Sequence, residues 1–359
     1  MLEKPLAALA ALCLLAGALG RAPPGEDAFV GWLGDASGGH QLHDRPAADP
    51  PSRTWVRTLS WAPRAFAFHG FLSDEECEHI KRLAAPQMKR SMVFYDGGNQ
   101  MDDYRTSFGA FISRRCDYVI ARVGARVADW VRIPETHAED MQVLRYGPDQ
   151  FYEAHMDTLD DDVWGPRLAT VLLYLSDVEE GGETAFRGSG SWADPGLPAA
   201  MGPASNCTRG GVAFKPKKGD ALLFWSVQPD GTTEDPASLH AGCPVLAGVK
   251  WVATIWIRAR PFKPDAFEAA EEDPPDPGLC IDASPHCKEW AAVGRCEANP
   301  VLMVGAPDAP GSCRNACRAC PPCPPPGGGA ACYNFRRRAA GFLEAAPSEA
   351  HLFPAAASG

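Results

Sequence analysis

The spacing of apolar positions changes character along the chain. Behind Ser73, residues Cys77, Ile80 and Leu83 or Ala84 recur at helical spacing, and Ser73 with Glu76 has the pattern of a capping box, so a helix is predicted to begin at Ser73. A second helix is predicted over roughly residues 117–131, where Val119, Val123, Val127 and Val131 fall four apart beside Ile120 and Trp130. Its apolar stripe must pack against something. From about Met141 the pattern becomes short β-like runs separated by Gly, Pro and Asp, at residues 142–146, 151–156, 169–175, 211–214, 221–225 and 251–257. Many short strands joined by turn residues imply a sandwich or barrel, so the expected fold class is mainly β with flanking helices.

The flanks read differently. Residues 5–20 are an apolar Ala/Leu run between Lys4 and the polar, Pro-rich stretch that opens at Arg21, the form of a secretory signal within residues 1–22. The run is shorter than the roughly 20 apolar residues that suit a bilayer span, which favours cleavage and leaves an uncleaved signal-anchor as the alternative. Residues 23–60, rich in Gly, Pro, Asp and Ala, read as a linker, as do the acidic, Pro-rich residues 263–279. Six cysteines crowd residues 280–320. The Pro-, Gly- and Ala-rich residues 321–359 are expected to be disordered.

A formal net charge of −11 argues against nucleic-acid or anionic-membrane binding, because phosphate recognition draws on clustered Lys and Arg and no basic run here has that form. Membrane attachment is expected only if the N-terminal segment is kept as an anchor. Thirteen cysteines suit an oxidising compartment, and with the signal pattern they predict the lumen of the endoplasmic reticulum or the secretory pathway. A sequon at Asn206-Cys207-Thr208 points the same way. Cys207 and Cys243 flank the strands that lead to His240 and are expected to form a disulfide. Cys77 and Cys116 read as buried thiols, while Cys323 and Cys332 have no assignment.

The candidate chemistry starts at His155 and Asp157, which stand two apart and so share one face of a strand. A second histidine, His240, follows several strands later. Two imidazoles and one carboxylate on one side of Fe(II) leave three positions open, two for a chelating 2-oxo acid and one for O2, whereas catalytic zinc sites usually keep only one. Lys250 lies near the start of an otherwise apolar strand, and a buried lysine is costly without an anionic partner. Taken singly, the His-x-Asp pair also fits a surface turn and Lys250 fits a side chain that reaches out to solvent.

The surrounding motifs are Gln142-Val-Leu-Arg-Tyr146-Gly, Tyr152-Glu-Ala-His155-Met-Asp157, Ala169-Thr-Val-Leu-Leu-Tyr-Leu175, Gly181-Gly-Glu-Thr184, Leu239-His240-Ala-Gly-Cys-Pro-Val245 and Gly248-Val-Lys250-Trp251. Together they resemble the prolyl 4-hydroxylases of the Fe(II)/2-oxoglutarate dioxygenases across residues 61–262. The resemblance implies a double-stranded β-helix, or jelly roll, with His155, Asp157 and His240 as iron ligands and catalytic centre. It further implies that Lys250 pairs with the distal carboxylate of 2-oxoglutarate, that Tyr146, Thr184 and Trp256 line the same pocket, and that Tyr152 and Arg105 lie near the peptide groove. The implied reaction is 4-hydroxylation of peptidyl proline in Pro-rich secreted polypeptides, consuming O2 and releasing succinate and CO2, with L-ascorbate restoring oxidised iron. Asp149 departs from a common Gly at a position that calls for left-handed backbone, which Asp tolerates. Arg187 stands close to where a Pro is common. A related dioxygenase acting on lysine or a non-peptide substrate remains open, as does a secreted binding protein with an inactive catalytic domain.

Cys280, Cys287, Cys296, Cys313, Cys317 and Cys320 allow fifteen pairings, and spacing alone does not choose among them. Their pattern resembles the ShKT domain, which implies pairing of Cys280 with Cys320, Cys287 with Cys313, and Cys296 with Cys317. A zinc knuckle is the alternative, disfavoured where thiols oxidise. So small a module needs such staples, and the resemblance implies a docking or substrate-recruiting role.

Overall fold

The computed structural model describes residues 54–95, 98–100, 104–159, 161–188, 190–263, 276–306, 309–323 and 329–354. The signal-like segment 1–22 and most of both linkers lie outside the described residues. In chain order the strands of the main body are β1 (Trp55–Ala62), β2 (Arg64–His69), β3 (Lys89–Arg90), β4 (Val93–Tyr95), β5 (Gly98–Gln100), β6 (Phe108–Ile112), β7 (Met141–Tyr146), β8 (Tyr152–His155), β9 (Arg167–Tyr174), β10 (Glu180–Gly181), β11 (Thr184–Phe186), β12 (Ser191–Trp192), β13 (Ala213–Phe214), β14 (Ala221–Trp225), β15 (His240–Gly242), β16 (Val245–Ala247) and β17 (Lys250–Arg258). The long helices are α1 (Asp74–Ala84) and α2 (Tyr118–Val131). A nine-stranded sheet runs β12-β1-β2-β14-β9-β17-β7-β6-β3, and a four-stranded sheet runs β13-β11-β15-β8.

The side-chain alternation of the central strands explains how these layers stack. Val171, Leu173, Leu223, Trp225, Ala253 and Ile255 face α1 and α2, where they meet Cys77, Ile80, Val123 and Val127. Their neighbours Leu172, Tyr174, Leu222, Phe224 and Val252 face the other way and pack with Phe186 and Phe214 of the small sheet. Central strands buried on both faces read as continuous apolar runs, and the result is a jelly roll backed by helices. Both helices start where predicted. The Ser73 hydroxyl accepts from the Glu76 N–H at 3.2 Å and the Glu76 carboxylate accepts from the Ser73 N–H at 3.0 Å. The same carboxylate accepts from Arg126 at 2.8 Å and Arg122 at 3.2 Å, tying α1 to α2. Asp149 takes the expected left-handed conformation, φ 62°.

Two expected boundaries move. The linker assigned to residues 23–60 ends sooner, because β1 begins at Trp55 and pairs with β2 in the large sheet, with Val56 and Leu59 buried. Its polar Arg57, Thr58 and Ser60 hid it, since β1 lies one strand from the sheet's edge and needs few apolar anchors. Of the tail 321–359, expected to be disordered, the described residues 329–354 instead fold back over the body. They form a helix, Gly329–Ala339, and a 3₁₀ turn, Pro347–Leu352. Arg337 is fully buried and donates to the carbonyls of Ala85 and Pro86 and to Asp276 at 2.7 Å. Glu349 accepts from Arg145 of β7 and from the indole N–H of Trp251 of β17, each at 2.7 Å in the shortest contact. A few buried polar anchors hold a segment whose composition carries almost no periodic signal.

Among the described residues there are five disulfides. Cys207 with Cys243, Cys280 with Cys320, Cys287 with Cys313, and Cys296 with Cys317 join as expected, and Cys323 with Cys332 ties the module to the C-terminal helix. Around its disulfides the module packs a small core of Cys287, Cys313 and Met303. Cys77 is a buried thiol. Among the described residues no helix is long and apolar enough to cross a membrane.

Candidate active site

His155 closes β8, Asp157 follows two residues later, and His240 opens β15. Antiparallel pairing of β8 with β15 sets His240 directly opposite His155. Cross-strand partners of this kind have neighbouring side chains, and here the two rings lie 4.3 Å apart, centre to centre. The His155 Nδ1 is 2.8 Å from the Glu153 carbonyl and the His240 Nδ1 is 3.0 Å from the Ser238 carbonyl. A carbonyl can only accept, so each Nδ1 carries the proton and each Nε2 presents a lone pair. Those two Nε2 atoms stand 3.5 and 3.7 Å from the Asp157 oxygens, and the three donors lie within 4.8 Å of one another.

The electrostatics suit a cation. Burial alone would raise the Asp157 carboxyl, but His240 and His155 outweigh it and hold the group well below the usual carboxylate range. His240 is pushed down to about 4, first by burial and then by His155, so its imidazole is neutral at physiological pH. Thr170 of β9 donates its hydroxyl to Asp157 at 2.6 Å and fixes that carboxylate. Two imidazoles and a carboxylate with open space beside them fit Fe(II).

The narrow cavity next to the triad is lined by Tyr146, Thr184, Lys250, Thr254 and Trp256, with apolar walls from Leu144, Leu172 and Val252. Lys250 and Tyr146 are cross-strand partners on β17 and β7. The Lys250 ammonium is 5.6 Å from the Tyr146 ring and 5.8 Å from the Tyr174 ring, and burial pushes its pKa down to about 8 against a distant Glu183. Among the described residues no carboxylate lies within ion-pair distance of it. A buried ammonium facing an apolar cavity calls for a carboxylate from outside, which fits 2-oxoglutarate.

A wider groove opens from the triad, lined by Tyr152, Arg105, Trp256 and Arg167. The Arg105 guanidinium stacks 4.6 Å over Tyr152 and donates to Gln142 at 2.9 Å. Arg167 lies 3.8 Å over Trp256 and is held by Glu139 at 2.7 Å. All nine candidate residues therefore line one connected space. Sequence reasoning missed Thr170, Arg167, Thr254 and Tyr174, whose hydroxyl bonds Thr184 at 2.9 Å. The signal for Thr170 was a lone hydroxyl within the apolar run 169–175, since a buried hydroxyl needs a partner.

A jelly roll carrying this triad defines an oxygenase scaffold, and residues 141–258 match the family described as the 2OG-Fe(II) oxygenase superfamily. Probable prolyl 4-hydroxylase 6 of Arabidopsis thaliana is 42% identical over 274 residues, spanning 74% of this chain and 90% of that protein. Prolyl 4-hydroxylase 2 of the same plant is 43% identical over 271 residues, spanning 74% and 88%. The viral collagen prolyl hydroxylase of Paramecium Bursaria Chlorella virus-1, solved as a 2OG complex, aligns with TM-score 0.39 and 30% identity over 54% of this chain and 96% of that one. The chain belongs to the prolyl 4-hydroxylase family. Its C-terminal cysteines fit a ShKT-like module.

Proposed function

We propose that this chain hydroxylates C4 of peptidyl proline in Pro-rich secreted polypeptides, with Fe(II) held by His155, Asp157 and His240 and 2-oxoglutarate held by Lys250. The observation that carries the reading is the triad, with Asp157 and His240 buried and His155 half-buried, beside a buried lysine ammonium that has no carboxylate partner among the described residues. When bound, the iron and 2-oxoglutarate supply the oxidising chemistry, consuming O2 and yielding succinate and CO2. The protein contributes position and exclusion of water. Glu153 and Ser238 carbonyls fix the two imidazole tautomers, and Thr170 fixes the carboxylate. Lys250 neutralises the distal carboxylate of the cosubstrate, while Tyr146 and Thr184 border the same cavity. Leu144, Leu172 and Val252 keep that cavity dry, which strengthens the lysine–carboxylate attraction. Tyr152 under Arg105, and Trp256 under Arg167, form rigid planar walls where a proline ring can rest.

L-Ascorbate serves this reading as the reductant that returns iron to Fe(II) after turnovers without substrate. The disulfides and an exposed Asn206 sequon support the lumen of the endoplasmic reticulum as the working compartment, with Asn206 glycosylated. The ShKT-like module then recruits substrate, and membrane attachment follows only where the N-terminal segment is retained. Incubation with a proline-rich peptide, Fe(II), 2-oxoglutarate and ascorbate, followed by mass mapping, tests the reading. Added oxygen on proline C4 is expected; oxygen on lysine alone, or none, overturns it.

A further inference from the structure

Lys250 and Tyr146 form the last cross-strand pair of the β7–β17 ladder. β7 ends at Tyr146, β17 starts at Lys250, and the next pair inward is Arg145 with Trp251. An end pair has a paired neighbour on one side only, so it opens more readily than the pairs behind it. Side chains alternate along a strand. Tyr146 and Lys250 therefore face the cavity beside the triad, while Arg145 and Trp251 face the opposite side of the sheet, where Trp251 joins the helix-backed core. On that side both meet one carboxylate from the tail. Glu349, 6% exposed, accepts from the Arg145 Nε at 3.0 Å and Nη2 at 2.7 Å, and from the Trp251 Nε1 at 2.7 Å. A single side chain thus joins β7 to β17 one pair in from the open end. Toward β9 the same end is gripped by the Ser176 hydroxyl, which accepts from the Trp251 N–H and donates to the Val249 carbonyl, each at 2.9 Å.

We propose that Glu349 is a positioning residue for the cosubstrate: by clipping the outer face of β7 and β17 it holds Lys250 and Tyr146 in place on the inner face. This role rests on the assignment of Lys250 to 2-oxoglutarate and extends it to the tail beyond the cysteine module. A group that recognises a ligand carboxylate has to be held to within about 0.5 Å, and the backbone that carries it sets that precision. A two-pronged arginine–carboxylate contact fixes orientation as well as distance, so the clip holds the two strands in register as well as together. The triad is carried elsewhere. His155 and His240 belong to β8 and β15 of the four-stranded sheet, and Asp157 follows β8, so opening the end of the β7–β17 ladder leaves the metal ligands where they are. Loss of the clip is therefore expected to weaken 2-oxoglutarate binding and spare metal binding, a selectivity that general loss of stability would not produce.

The test uses the full chain. Glu349→Gln removes the carboxylate and leaves Arg145 buried without its partner. The double variant Arg145→Met with Glu349→Gln also breaks the link between the strands but leaves no buried charge unpaired, so it should regain most of the wild-type stability. Arg338→Ala, exposed on the C-terminal helix, is the control. Anaerobic calorimetry gives the Kd for 2-oxoglutarate, metal titration gives the Kd for Fe(II), and hydrogen exchange of the ligand-free protein, read by mass spectrometry, reports opening of residues 144–147 and 248–252. Both clip variants should bind 2-oxoglutarate about fivefold to twentyfold more weakly and exchange about tenfold faster in those segments, with Fe(II) affinity within about twofold of wild type. KM for 2-oxoglutarate should rise in step while kcat at saturation holds. Arg338→Ala should match wild type throughout. Return of 2-oxoglutarate affinity together with stability in the double variant, unchanged affinity in both clip variants, or equal losses for Fe(II) and 2-oxoglutarate overturns the proposal. Wild type that binds Fe(II) but not 2-oxoglutarate, or Lys250→Met that binds 2-oxoglutarate as tightly as wild type, overturns instead the reading on which it rests.

Discussion

Lys250→Met should raise the stability of the ligand-free protein while weakening 2-oxoglutarate binding. In the ligand-free protein the Lys250 ammonium is 3% exposed, and burial lowers its pKa from 10.5 to about 8. That shift corresponds to about 3 kcal/mol, at 1.36 kcal/mol per pH unit. The folded pKa lies below the unfolded one, so the penalty is complete below about pH 8 and disappears as pH rises toward 10.5, where the folded state gives up its proton first. Chemical denaturation without 2-oxoglutarate should show wild type gaining up to about 3 kcal/mol over that window relative to Lys250→Met. At pH 7 the variant should be the more stable protein, because methionine has no charge to desolvate. Addition of 2-oxoglutarate reverses the ranking. Removing one partner of a buried ion pair costs about 3–5 kcal/mol, so the Kd measured by anaerobic calorimetry with Fe(II) should rise by about a hundredfold to a few thousandfold. A variant no more stable than wild type at pH 7, with 2-oxoglutarate affinity within threefold, would refute the assignment of Lys250.

Three further outcomes follow from the same geometry. His155→Ala or Asp157→Ala should abolish succinate release and hydroxyproline formation together, and chelation of wild type should do so reversibly, with activity restored by Fe(II) and not by Zn(II). Thr170→Val removes the hydroxyl that holds Asp157, and metal titration should show Fe(II) affinity lower by about tenfold to a hundredfold. Glu349→Gln leaves the Arg145 guanidinium, 12% exposed, without its carboxylate. That change should lower unfolding free energy by about 3 kcal/mol in denaturant titrations, with kcat at saturating substrates preserved.

Much of the fold was legible because its signals are local. The capping box at Ser73 and Glu76 placed α1, valines four apart placed α2, and apolar runs placed β7, β9, β14 and β17. β1 was not legible, since its half-polar pattern makes sense only beside β2. The same limit concealed the tail. Arg337 and Glu349 look like ordinary solvated charges until Ala85, Asp276, Arg145 and Trp251 surround them.

The candidate site divides along the same line. The two-residue spacing of His155 and Asp157 is enough to put them on one strand face, because side chains alternate along a strand whatever it pairs with. A lysine inside an apolar strand likewise calls for an anionic partner, since the cost of burying an ammonium does not depend on which strands surround it. Tertiary structure decided the rest: the β8–β15 register that sets His240 against His155, the Thr170 hydroxyl on Asp157, and the stacking of Arg167 over Trp256. Those contacts join residues far apart in the chain, and their energies depend on which strands become neighbours, a choice made by the whole core and not by any local run of residues.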